Sequence, residues 1–171
     1  MPCPPEDLSY IAGVIDSDGY IGLTKGQEYR RGNHITIQIR PVITLTQVQT
    51  GAIYFIRAIF PGHYYEHIRD GSKNWKTIYV WGLGRREDVS SFLTQILPYL
   101  KIKKRQAELV IAYCSLRESV LSDMSRVDKR GRPRRSSKYT YSGVEYEMWK
   151  AVKQLNKTGV TIDESGSNSK T

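Results

Sequence analysis

Two acidic residues at the end of a predicted helix are the residues of this sequence best suited to chemistry. Asp16 and Asp18 follow residues 8–15, whose apolar side chains recur at the spacing of one helix face. Gly19 comes next, and its permissive backbone dihedral angles predict that the helix ends there. Carboxylates at a helix C-terminus are unfavourable because the helix dipole is already negative at that end. The pattern therefore predicts a compensating positive charge. A divalent cation is the first candidate, since hard cations bind carboxylate and carbonyl oxygens.

Residues 11–19, Ile-Ala-Gly-Val-Ile-Asp-Ser-Asp-Gly, resemble the LAGLIDADG motif of homing endonucleases at every position, with Ile, Val and Ser as mild departures. The alternative interpretation is a helix that ends in an ordinary Asp-Gly turn. A calcium-binding helix–loop–helix is excluded because Tyr20 and Gln27 stand where its loop needs an oxygen ligand and a glutamate. A nucleotide-sugar site with the pattern Asp-X-Asp is excluded as well, because it normally follows a strand in a much larger chain.

The resemblance implies a metal-dependent endodeoxyribonuclease. Phosphodiester cleavage needs a metal that stabilises the attacking and leaving oxygens. Asp18 supplies the metal-binding carboxylate, and the resemblance adds the backbone carbonyl of Ser17 as a second ligand. The implied cofactor is Mg²⁺, with Mn²⁺ or Ca²⁺ able to occupy the same sites. Asp16 is interpreted as a capping or packing acid. The implied products carry short 3′ overhangs from cleavage across the minor groove.

Two further positions match catalytic residues of the family. Gln47 follows the second predicted strand, where the family often carries a glutamine that orders solvent. A polar residue at a helix N-terminus is an equally good interpretation of it. Residues 97–107 resemble the family's segment before its last core helix, and Lys103 takes the place of the basic residue that polarises water or stabilises the phosphorane. The alternative for Lys103 is a phosphate-contacting helix start shared with Lys101 and its basic neighbours.

Length and charge restrict the class of protein. A chain of 171 residues predicts one compact domain with a sizeable core. The net charge of +9 predicts a polyanionic partner, either nucleic acid or an acidic membrane. A membrane is the weaker choice because no run reaches the ~18 apolar residues of a spanning helix. With no secretory signal and two cysteines, we expect a soluble, intracellular protein, in the cytoplasm of a prokaryote or an organelle matrix, without disulfide framework or zinc site.

The periodicity of apolar residues predicts an α+β fold. The order is helix, two strands, helix, two strands, two helices over residues 8–120, which is the αββαββα pattern of the LAGLIDADG core with its saddle-shaped antiparallel sheet. The predicted segments are strands in 20–46 around a loop at 26–33, a helix at 48–59, a hairpin at 63–81, and helices at 87–97, 103–119 and 141–155. The predicted regions are a core at 1–125, a basic loop and C-terminal helix packed on or beside it at 126–155, and a disordered tail at 156–171.

Alternation along the strands predicts one apolar and one polar sheet face. In the hairpin, Tyr64, Ile68, Ile78 and Val80 are predicted to point inward, and Pro41 predicts a bulge or an edge position. Arg and Gln pair well with guanine and adenine edges, so the polar face fits a DNA groove. For any single residue a solvated surface is the simpler interpretation, but the net charge favours DNA for the set. The predicted contacts are Thr24, Lys25, Arg30, Arg31, Thr36, Gln38, Arg40, Thr44, Tyr65, His67, Arg69, Lys73, Trp75, Thr77, Tyr79 and Lys101.

A basic stretch follows at residues 126–138. Arg132, Arg134 and Arg135 within it are predicted to contact the DNA backbone, with a nuclear-localisation signal or a solvated loop as alternatives.

The motif occurs once, and in this family single-motif chains act as homodimers. The resemblance implies that the motif helices pack side by side and bring both Asp18 carboxylates to the dimer axis. Two-fold symmetry then imposes a pseudo-palindromic target. The predicted interface residues are Leu8, Ile11, Ala12, Gly13 and Ile15.

The leading hypothesis is a site-specific homing endonuclease of the intron-encoded type that cleaves double-stranded DNA as a homodimer. The alternatives are an RNA-binding maturase, whose partner is intron RNA, and a catalytically inactive DNA-binding regulator of the same fold. Asp18, Gln47 and Lys103 together argue against both alternatives, because a binding module needs none of them.

Overall fold

The computed structural model describes residues 3–26, 29–31, 34–36, 38–68, 76–124, 143–157, 160–162 and 168–170. Of the predicted DNA contacts, Arg69, Lys73, Trp75, Arg132, Arg134 and Arg135 lie outside these ranges, and only the backbone is described at Arg30, Arg31 and Thr36. The elements are α1 (Pro5–Asp18), β1 (Gly19–Lys25), β2 (Tyr29–Arg31), β3 (His34–Thr36), β4 (Ile39–Gln47), α2 (Gly51–Ile59), β5 (His63–His67), β6 (Ile78–Leu83), α3 (Arg86–Ile96), α4 (Lys104–Met124), α5 (Gly143–Leu155), β7 (Val160–Ile162) and β8 (Asn168–Lys170).

Four strands form an antiparallel sheet in the order β1-β4-β6-β5. Alternate residues of β4 are buried from Ile39 to Leu45, and their neighbours are half-buried or exposed. The buried side chains meet those of α1, α3 and α4 in one core, whose largest members are Trp81, Tyr113 and Phe92. The α+β class and the αββαββα order are therefore confirmed. We call the sheet face turned away from this core the open face.

Pro41 lies where β4 has one neighbouring strand. It pairs with Leu23 of β1, whereas the pairing of β4 with β6 runs only over residues 43–47. Since proline has no N–H to donate, it fits a stretch of strand with one free side. The predicted edge position is confirmed.

The predicted facing of β6 is wrong. Trp81 and Leu83 are buried in the core, and Trp81 Nε1 donates a hydrogen bond to the carbonyl oxygen of Phe60 at 3.2 Å. Tyr79 shares their face, stacks on Tyr64 and packs against the core, so its predicted DNA contact is withdrawn. Ile78 and Val80, predicted to point inward, have the opposite parity, and Val80 is buried there with 5% of its surface exposed.

In the neighbouring strand β5 the alternation is correct. Tyr64 packs on the core, and Tyr65 and His67 lie on the open face. Ile68 was predicted to point inward, but it follows the end of β5 and is 77% exposed. Thr77 likewise lies outside a strand, directly before β6.

Two segments form short β-strand pairs that the sequence did not indicate. The second predicted strand is divided into β3 and β4, and β3 pairs with β2 in a separate two-stranded sheet. In the tail that was predicted to be disordered, β7 pairs with β8. Helix α5 packs against β1 and α4, where Arg117 and Glu145 form a buried ion pair with N and O atoms 2.8 Å apart. Within the described ranges, the helices are too short or too polar to cross a membrane.

Three residues expected at a dimer interface lie in the chain's own core. Ile11, Ala12 and Ile15 have no accessible surface, and Leu8 is half-buried against the same core. The prediction is wrong for Ile11, Ala12 and Ile15, because the sheet of the same chain covers the apolar face of α1. Only Gly13 of the five is exposed.

Candidate active site at the end of α1

Asp18 is the last residue of α1, and its carboxylate is exposed. Gln47 ends β4 and donates a hydrogen bond from Nε2 to Asp18 Oδ2 at 3.1 Å. Both residues were predicted as catalytic, and the fold brings them into contact across 29 residues of sequence. Beside them opens a cleft of about 460 Å³ lined by Asp18, Thr46, Gln47, Val48, Gln49 and Ile78. Since Thr46 and Ile78 belong to the open face, the cleft joins Asp18 to that face.

Asp16 has a different task from Asp18. It is buried, and its carboxylate accepts hydrogen bonds from the backbone N–H groups of Lys101, Ile102 and Lys103, with N–O distances of 2.6, 3.2 and 2.8 Å. These amides directly precede α4. The interpretation of Asp16 as a capping acid therefore agrees with its contacts, which leave it no part in an exposed site.

Lys103, in the segment that Asp16 binds, contacts the end of α1 in turn. Its Nζ donates to the carbonyl oxygens of Ile15 at 2.8 Å and Asp16 at 2.6 Å, and lies 3.5 Å from that of Ser17. Burial lowers the pKa of Lys103, and the nearby Asp16 and Asp18 carboxylates oppose that shift. The positive charge predicted at the end of α1 is thus supplied by this ammonium group, which is favourable at a helix C-terminus.

Asp16 and Lys103 together form a reciprocal clamp between the end of α1 and the start of α4. The Asp16 carboxylate accepts hydrogen bonds from three backbone amides before α4. The Lys103 ammonium group donates hydrogen bonds to backbone carbonyls at the end of α1. The clamp fixes the last turn of α1 and hence the position of Asp18. Sequence reasoning missed it because its partners are 85 to 88 residues apart.

Gly19 serves the site through its size. Its φ of −79° and ψ of 160° are extended, so the predicted use of permissive dihedral angles is wrong. A Cβ at this position would lie 2.8 Å from the carbonyl oxygen of Ile15 and 2.9 Å from its Cα. Because the chain turns from α1 directly into β1 here, only glycine lets the two backbones approach so closely.

The donors at this site suit a hard cation such as Mg²⁺. The exposed Asp18 carboxylate and the Ser17 carbonyl both offer oxygen atoms, which hard cations prefer. Within the described ranges of the chain, no three His, Cys, Asp or Glu side chains gather closely enough to hold a metal ion.

The open face carries polar residues from β1, β4 and β5, whereas β6 contributes Ile78, Val80 and Gly82. The register places Thr24 opposite Arg40 and Tyr20 opposite Thr44, and Arg40 donates to Gln38 Oε1 at 2.6 Å. Lys25 has the parity of the helix-covered face, and Lys101 is exposed at the clamp. Tyr20, Thr46 and His63 share the open face and were missed, although the alternation that indicated Thr24 and Thr44 extends to the first two.

Removing the ammonium group of Lys103 is expected to weaken the clamp measurably. Lys103→Met leaves the α1 carbonyls without their charged donor, and hydrogen bonds to charged groups contribute about 1.5–3 kcal/mol. Urea unfolding followed by circular dichroism should show a loss of that size. Lys104→Met, at the exposed neighbouring position, is the control and should change little. Equal stability of the two variants would contradict the clamp.

Solved structures of homing endonucleases have this fold. The chain superposes on I-CvuI in complex with its target at a TM-score of 0.51 and 22% identity, covering 88% of this chain and 94% of that one. For the archaeal intron-encoded I-Vdi141I, complexed with DNA, the TM-score is 0.51 and the sequence identity 14%. The match covers 88% of this chain and 97% of that one. For the DNA-bound meganuclease I-SmaMI, the TM-score is 0.56 and the sequence identity 12%. The match covers 93% of this chain but 48% of that one.

No protein-family model matches the sequence, and no curated protein matches it either. The likeness therefore rests on structure. The chain has the α+β fold of the LAGLIDADG homing endonucleases.

Proposed function

We propose that this protein is a metal-dependent endonuclease that cleaves double-stranded DNA at a specific site. The observation that carries the proposal is the Asp18–Gln47 pair, which lies in a cleft that opens onto the polar face of the sheet. A duplex bound on that face would therefore lie close to the Asp18 carboxylate. The net charge of +9 favours such a partner, and the solved structures with this fold hold DNA.

Each residue of the site has a separate part in the proposed reaction. Asp18 and the Ser17 carbonyl would hold the cation, and Gln47 would orient the attacking water through its free amide atoms. When bound, Mg²⁺ would stabilise the charge that develops on the phosphate oxygens. Lys103 is engaged by the carbonyls of α1, so its contribution here is to hold Asp18 in place. Structures of I-CvuI were determined in the presence of calcium and, with DNA that was not cleaved, of magnesium, which supports a divalent ion as the cofactor.

The direct test is selection from a library of random duplexes incubated with the protein and Mg²⁺. Sequencing of the cut ends should return one long, nearly palindromic site with short 3′ overhangs. A protein that retains duplexes on a filter but releases no cut ends would be a DNA-binding regulator. Retention of intron RNA in preference to duplexes would instead favour the maturase.

A homodimer would form through the exposed side of α1. Tyr10, Gly13 and Ser17 lie along this side at spacings of three and four residues, with half-buried Val14 beside them. This stripe replaces the buried residues first assigned to the interface. The match to nearly all of I-Vdi141I but to 48% of I-SmaMI supports a second copy, because one chain then equals about half of the larger protein.

Gly13→Leu is expected to weaken dimerisation. A Cβ at Gly13 meets no atom of its own chain within 4 Å, so the larger side chain disturbs only a packed partner. Overpacking costs about 1–3 kcal/mol, which is roughly a 5- to 150-fold rise in the dissociation constant. Gly51→Leu is the control, since its Cβ position is equally open and lies outside α1. Sedimentation velocity measures the effect, and a monomeric wild-type protein that cleaves DNA would contradict the dimer.

Arg40 is expected to read a base edge. Arg40→Ala should cost roughly 1–3 kcal/mol and relax the preference at one base pair per half-site. Lys25→Ala is the matched control, because Lys25 has the opposite parity. Binding to a library of single-base target variants separates the two. If Arg40→Ala weakened every target equally, Arg40 would contact the backbone and the assigned role would be wrong.

A further inference from the structure

One side of α5 carries an alternating series of aromatic rings and lysines. Tyr146 and Trp149 stack with ring centroids 5.3 Å apart. The ammonium group of Lys150 lies 4.7 Å from the Tyr146 centroid, and that of Lys153 lies 5.0 Å from the Trp149 centroid. Lys157 follows two residues after the end of α5 and is exposed. We call these five residues the α5 ladder.

The α5 ladder keeps a positive charge. Of the acids on α5, Glu145 is buried against Arg117, and Glu147 pairs with Lys150 at 2.8 Å. Lys153 and Lys157 are exposed, and no carboxylate within the described ranges forms an ion pair with either. The rings hold Lys150 and Lys153 through cation–π contacts, which reduces the freedom these side chains lose when they bind a ligand.

The end of α5 reaches the border of the open face. Asn156 Nδ2 donates to the carbonyl oxygen of Ile21 in the edge strand β1 at 2.9 Å. Tyr20, which directly precedes Ile21, has its ring over Gly22 on the open face. Lys153 and Lys157 flank Asn156 in sequence. The charged end of the α5 ladder therefore lies beside the strand where the polar face of the sheet ends.

We propose that the α5 ladder binds the phosphate backbone of duplex DNA where the duplex leaves the sheet at β1. This inference rests on the proposed DNA-binding function and adds a contact surface to it. Phosphates suit the site better than bases, because lysines cover the ring faces on which a base would stack. A duplex lying along the open face would cross the edge strand and present its backbone to Lys153 and Lys157.

The test uses the full chain and a fluorescein-labelled 30-base-pair duplex of arbitrary sequence, without divalent metal. Fluorescence anisotropy at several KCl concentrations gives the slope of log affinity against log salt. Each phosphate contact contributes about 0.9 to this slope, so Lys153→Gln/Lys157→Gln should reduce it by roughly 2. Arg85→Gln/Arg86→Gln removes the same charge from α3, in the helix layer, and should leave the slope near the wild-type value. Lys153→Arg/Lys157→Arg should retain the slope.

Equal slopes for the two neutralised variants would overturn the α5 contact while leaving DNA binding by the sheet intact. A wild-type protein that does not bind the duplex in a salt-dependent way would overturn the proposed function and this inference together. A loss confined to single-stranded RNA of the same length would assign the ladder to RNA and contradict the proposal. Circular dichroism checks that each variant is folded.

Discussion

Asp18→Asn is expected to abolish cleavage and to leave DNA binding nearly unchanged. The substitution removes one charged oxygen ligand from the site, and the loss of several kcal/mol of stabilisation corresponds to a rate reduction on the order of a thousandfold. The side-chain volume is almost the same. Asp18 is exposed and its carboxylate accepts a hydrogen bond from Gln47, which an asparagine oxygen can also accept, so the fold should not change.

Single-turnover cleavage of the selected site with Mg²⁺, and binding to the same duplex without it, measure the two effects separately. Glu6→Gln is the matched control, since it removes an exposed carboxylate from the other end of α1. Full cleavage by Asp18→Asn would remove Asp18 from the reaction. Loss of binding and cleavage together would show that Asp18 supports the fold or the DNA contact.

Glu145→Gln is expected to lower the free energy of unfolding by about 3–5 kcal/mol, because it removes the carboxylate that pairs with the buried Arg117 charge. The two side chains are only 3% and 1% exposed, so water cannot replace the lost contact. This ion pair joins α4 to α5. The midpoint of urea unfolding should therefore fall sharply, and the salt-dependent contact of the α5 ladder should weaken with it.

Two comparisons make this prediction specific. Glu147→Gln breaks the exposed Lys150–Glu147 pair on the same helix and should cost at most about 1 kcal/mol. Arg117→Met/Glu145→Leu replaces both charges by apolar groups and should recover much of the lost stability, since a buried pair often contributes little beyond a well-packed apolar contact. If Glu145→Gln and Glu147→Gln lowered the free energy of unfolding equally little, the Arg117–Glu145 pair would not be what holds α5 on α4.

The amino-acid sequence by itself determined the order of the core elements and indicated the two residues that meet at the candidate site. Alternation made the facing of β4 predictable, because its odd-numbered residues from Ile39 to Leu45 are apolar and most of the even-numbered ones are polar. The motif at residues 11–19 indicated Asp18. Gln47 was indicated by its place after the second predicted strand, where the family often carries a glutamine. Both predictions depend on local patterns, which a single segment carries without reference to the rest of the chain.

Tertiary structure decided what covers each face. In β6 both faces are apolar, so only pairing with β4 places Trp81 in the core and Val80 on the open face. Periodicity showed that α1 has an apolar side, but it could not show that the chain's own sheet, not a partner, buries Ile11 and Ile15. The α1–α4 clamp likewise depends on contacts across more than 80 residues, which no local pattern encodes. The charge that α1 requires was predictable from the helix dipole, whereas its source, Lys103, follows from the packing of α4 beside α1.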